Sequence, residues 1–80
     1  MDVERRQAEN AAYAALEQLR NAMSADPPRP VLEKLGFAIA ELRIMLVCKN
    51  RVGLLGALRR ADAALAIWEA WREGTAAEPV

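Results

Sequence analysis

PVLEKLGFAIAELRIMLVCK, residues 30–49, is apolar on two opposite sides of a helix. At 3.6 residues per turn, Val31, Leu35, Ala38, Leu42, Met45 and Leu46 make one stripe. Phe37, Ala40, Ile44, Val47 and Cys48 make a second stripe roughly opposite. A helix with two apolar faces does not lie on the surface of a small monomer. It is either sandwiched inside a bundle or gives one face to another chain. The expectation is therefore a helical domain that assembles, with a homodimer as the simplest form.

The segments on either side supply two more helices. Upstream, Ala8, Ala12, Leu16, Leu19 and Met23 follow the 3–4 spacing of an amphipathic helix, widened by Ala11, Ala15 and Ala22. Three prolines in four positions, Pro27, Pro28 and Pro30, end it, because they remove backbone donors and push the preceding residues toward extended conformations. Pro30 suits the opening of the next helix. Downstream, Leu54, Leu58, Ala61, Leu65 and Trp68 form a stripe broadened by Ala57, Ala64, Ile67 and Trp71, and Gly74 reads as a stop. The predicted fold is all-α, one domain over residues 1–80, an antiparallel three-helix bundle. Its helices run over about 3–24, 30–49 and 52–73, with 74–80 as a frayed tail.

The junction at Lys49-Asn50-Arg51-Val52-Gly53 admits two readings. As a turn, Asn50 caps one helix or the other and Gly53 relaxes the backbone. As continuous helix, Phe37, Ala40, Ile44, Val47, Arg51, Leu54, Leu58, Ala61, Leu65 and Trp68 fall in unbroken 3–4 spacing, giving a short helix plus one long helix over 30–73. The long helix would carry Gly53 and Gly56 in its interior, at about 1 kcal/mol each relative to alanine. Turn chemistry and the small size of the domain favour three helices.

Composition narrows the function classes. The chain has eleven basic and eleven acidic residues, one cysteine and no histidine. No intrachain disulfide exists, and no zinc cluster, other metal site or cofactor is expected. The commonest acid–base side chain is missing, and Cys48 has no histidine to activate it. Asp62, Glu69 and Glu73 read as a solvated helix face. The chain is therefore read as non-enzymatic, with no catalytic residue. The sequence opens Met-Asp-Val-Glu-Arg-Arg without an apolar leader, and its longest apolar run, Ile44–Cys48, is far short of the ~20 residues of a membrane span. A cytoplasmic protein without membrane contact is expected.

Charge is segregated although it sums to zero. Arg43, Lys49, Arg51, Arg59 and Arg60 lie between Leu42 and Ala61 with no acid among them. A hairpin turning near residue 50 gathers them toward one end of the bundle, where Asp2, Glu4 and Glu9 of the first helix would offset their field. Such a patch suits an anionic partner. The leading expectation is a small helical protein-interaction module, working as an adaptor, regulatory subunit or stoichiometric inhibitor of a larger protein. It would pair with itself through Phe37, Ala40, Ile44, Val47, Cys48, Ile67 and Trp71. The alternative is a small nucleic-acid-binding regulator using the five cations.

Overall fold

The computed structural model describes residues 2–74. They form three helices, α1 (Asp2–Ser24), α2 (Arg29–Cys48) and α3 (Arg51–Arg72), each packed on the other two. The fold is an all-α three-helix bundle, and among the described residues there is no strand. Residues 75–80, most of the expected tail, lie outside the described residues.

Each break has a local cause. After Ser24, the amides of Ala25 and Asp26 donate to the carbonyls of Ala22 and Met23, and Asp26 takes a left-handed conformation (φ 58°). Pro27 and Pro28 then stop any continuation, and α2 starts at Arg29 with Pro30 in its first turn, where the missing amide costs nothing. At the far end of α2, Lys49 turns left-handed (φ 55°). Its amide donates to Leu46 and that of Asn50 to Met45, the paired closing bonds of a Schellman motif. The Asn50 side chain then accepts from the Gly53 amide at 2.9 Å and caps α3. A Cβ on Gly53 would collide with the Met45 sulfur and press on the Asn50 side chain, so the glycine lets the first turn of α3 close onto the last turn of α2. The long helix over 30–73 is thereby excluded: two conformationally distinct residues, Lys49 and Asn50, separate α2 from α3.

The core axis is lined by small residues. Of the fourteen side chains in the core cluster of the described residues, eight are alanines: Ala8, Ala12, Ala15, Ala22, Ala38, Ala57, Ala61 and Ala64. Leu16, Leu19, Leu35, Leu42, Leu54 and Val31 fill the remainder. In α3 the buried line runs Leu54, Ala57, Ala61, Ala64; Leu58, Leu65, Trp68 and Trp71 pack beside it and are only partly covered. Of the expected stripe, Leu54 and Ala61 are on the buried line, while Leu58, Leu65 and Trp68 give way to Ala57 and Ala64, expected only to broaden it, because a helix in contact with two neighbours places its smallest side chains where three backbones converge. Arg72 lies over the Trp68 ring, 4.8 Å from its centroid, and fixes that indole at the rim.

Two substitutions test the break between α2 and α3. Asn50→Ala removes the cap and should cost about 1 kcal/mol, lowering the melting temperature by roughly 4–8 °C. Lys49→Gly relieves the left-handed backbone and should stabilise by about 1 kcal/mol, whereas the same change inside a continuous helix would destabilise by a similar amount. Thermal and urea unfolding followed by circular dichroism reads both.

Candidate interaction face

The second stripe of α2 points away from the core. Phe37 is 77% exposed, Ile44 55% and Val47 81%. Ala40 and Cys48 on the same stripe are exposed as well. The cause is angular: at about 100° per residue these positions lie opposite Val31, Leu35, Ala38 and Leu42, which occupy the bundle axis. On α3, Ile67 borders this surface at 37% exposure. Trp71, half-buried, packs against the edge of the core and is not on the open part of the face.

The apolar surface extends from α2 onto α3. Between the two helices runs a shallow groove of about 230 Å³, with Phe37 and Ile67 on its walls and Ala38, Ala63 and Ala64 below. Val52 and Leu55 carry exposed apolar surface on α3 toward the turn. The outer side of α1 differs. Apart from Val3 and Tyr13 its exposed large side chains are polar or charged, among them Glu4, Arg6, Gln7, Glu17, Gln18 and Arg20.

One ion pair spans the groove. The Arg60 guanidinium donates through Nε to both Glu41 carboxylate oxygens, at 2.8 and 2.9 Å, and through Nη2 to Oε2. These hydrogen bonds hold the Glu41 carboxyl below its ordinary value of 4.5; partial burial opposes the shift, and the guanidinium charge adds to it. Arg60 is raised in turn by the same bonds. Neither group brings an unbalanced charge to the face.

Two of the five cations have acid partners. Arg60 is bound to Glu41 on α2, and Arg51 pairs with Glu4 of α1 at 3.2 Å. Arg43 borders a second, wetter groove between α1 and α2, with Tyr13, Glu17 and Arg20. Among the described residues Arg43, Lys49 and Arg59 make no ion pair. Two of the five are thus neutralised, one by an acid of α1 and one by an acid of α2, which weakens the field a phosphate backbone would meet. Glu41 is the partner that a scan along the chain overlooks, because it lies one residue before the acid-free run. Across a hairpin turning near residue 50 it stands as far before the turn as Arg60 stands after it.

Among the described residues no three His, Cys, Asp or Glu side chains gather as metal ligands, and no helix is long and apolar enough to cross a membrane. No protein family, curated protein or solved structure matches the chain.

The Glu41–Arg60 pair makes a pH-dependent prediction. Because the folded carboxyl titrates below its unfolded value, the stabilisation is present above about 4.5 and is lost as pH falls through the depressed folded value. Urea midpoints of the wild type and Glu41→Gln should therefore differ modestly at pH 7, converge in strong acid, and lie closer together at high salt, as expected for an exposed pair.

Proposed function

We propose that this chain is a non-enzymatic helical interaction module that pairs with a second copy of itself through the outer face of α2. In that form it would occupy a surface on a larger protein as an adaptor, regulatory subunit or stoichiometric inhibitor. The observation that carries the reading is the set Phe37, Ile44 and Val47. These bulky apolar side chains lie along one helix face, outside a core that holds mostly alanine. Single exposed apolar residues are ordinary, but a contiguous row is typical of an interaction site. Two further features support self-pairing. Glu41 and Arg60 are matched within the chain, which leaves Lys34 at the groove and Arg43 beside Ile44 and Val47 as the unpaired charges on the face, and the chain as a whole has no net charge. Its side chains need no rearrangement to be reached, since they already stand in solvent.

Ile44→Glu tests the pairing. Ile44 is outside the core, so the variant should keep its helicity and thermal stability as an isolated bundle. Light scattering should give twice the 8.8 kDa chain mass for the wild type and a single chain mass for the variant. A variant that remains paired with unchanged affinity, or a wild type that remains single at high concentration, removes the basis of this reading.

A further inference from the structure

We infer that the two copies interlock at the groove between α2 and α3, each seating its Phe37 ring in the groove of the other. The inference rests on the pairing proposed above and identifies its anchor.

Phe37 is the chain's only phenylalanine and projects from the rim of the groove with most of its surface in solvent. A large ring held in water on a rigid helix is the usual form of an interface anchor, since little side-chain freedom is lost when it is buried. The groove suits the ring in size and chemistry. Its volume of about 230 Å³ exceeds the roughly 150 Å³ that accommodates a benzene molecule in an apolar protein cavity. Ala38, Ala63 and Ala64 leave that space open by being short, and Ile67 offers an aliphatic wall.

The arrangement of knob and groove selects the partner. A two-fold interface is self-complementary: whatever residue i touches on the other copy must be touched in return. A protruding ring immediately beside a groove that is mostly apolar and crossed by one internally matched ion pair meets that condition when the axis passes close to Phe37. The electrostatics agree. Glu41 already binds Arg60 within each chain, so the groove presents no unmatched acid, and Lys34 at its edge is exposed and screened. The wetter groove between α1 and α2 is a poorer seat: Glu17, Arg20 and Arg43 border it with no ion pair among the described residues, whereas Glu41 and Arg60 of the first groove already satisfy each other.

The test separates the ring from the groove. Phe37→Ala removes the knob; Ala63→Trp fills the groove from its own chain at an exposed position and leaves the knob in place. Sedimentation equilibrium should show each raising the dimer dissociation constant by at least about thirtyfold, with circular dichroism unchanged. Val3→Glu, on the outer side of α1, should leave the constant as in the wild type. As a second readout, chains with Cys48→Ser and Phe37→Cys are mixed with chains carrying Cys48→Ser and Ala63→Cys. Oxidation should link one of each kind. A dimer weakened by Phe37→Ala but indifferent to Ala63→Trp, with no mixed disulfide, overturns the groove as the seat. If Ile44→Glu still separates the copies in that case, pairing through α2 survives. A wild type of single mass overturns both.

Discussion

Close approach of three backbones along an alanine-lined axis is the constraint from which the rest of this molecule follows. Ala8, Ala12, Ala15 and Ala22 of α1 meet Ala38 of α2 and the alanine line of α3 in one buried cluster. Short side chains let helices pack tightly but bury less apolar area per residue than leucine does. The tight axis also leaves no room for bulk. A phenylalanine or tryptophan at Ala57 or Ala61 would force the helices apart, so the large side chains of α3 are displaced to the rim. Trp68 and Trp71 flank the core, and Ile67 looks outward. At the turn Gly53 leaves room for the Met45 thioether and the Asn50 cap, and the approach of α2 and α3 allows a guanidinium on α3 to reach a carboxylate on α2.

Much of this fold is written in the periodicity of the sequence. The proline cluster marks the first break without ambiguity, because proline forbids what helix requires. The two stripes of α2 are separable from spacing alone, and one is buried while the other is exposed. What spacing does not reveal is which of two adjacent lines on α3 becomes the axis. Leu58 and Leu65 are more hydrophobic than Ala57 and Ala64, so a hydrophobicity argument favours the leucine side. Packing where three helices meet favours small size over hydrophobicity and selects the alanines.

The second break was harder to read for a different reason. A left-handed residue at a helix end is usually glycine, and here it is Lys49, whose identity announces nothing. The signal lies in its neighbours: Asn50 as a cap and Gly53 three residues later, where a side chain would strike Met45. The basic cluster shows the same limitation in the site. Read along the chain, residues 43–60 form a block of one sign. In the fold two of its members are matched by acids from outside the block: Arg51 by Glu4 of α1, in line with the offsetting acids expected there, and Arg60 by Glu41 of α2, which the run itself does not contain. Charge runs are properties of sequence, whereas fields are properties of placement.

The contrast between the polar outer side of α1 and the largely apolar groove of α2 and α3 bears directly on how Phe37 would be covered. Three helices around one axis bury one stripe each. To cover the second stripe of α2 within the chain, that helix would have to rotate through about half a turn, which would expose Leu35 and Leu42, the two α2 leucines that are now wholly buried. Nothing is gained by the exchange, and residues 2–74 contain no fourth helix to lay across the face. In the proposed pair a second copy supplies that cover, presenting its own α2 and α3 so that each apolar face becomes the other's missing layer. On this view the alanine axis and the exposed ring are two consequences of one choice: a narrow core within the chain, with the bulky side chains reserved for a second core formed between chains.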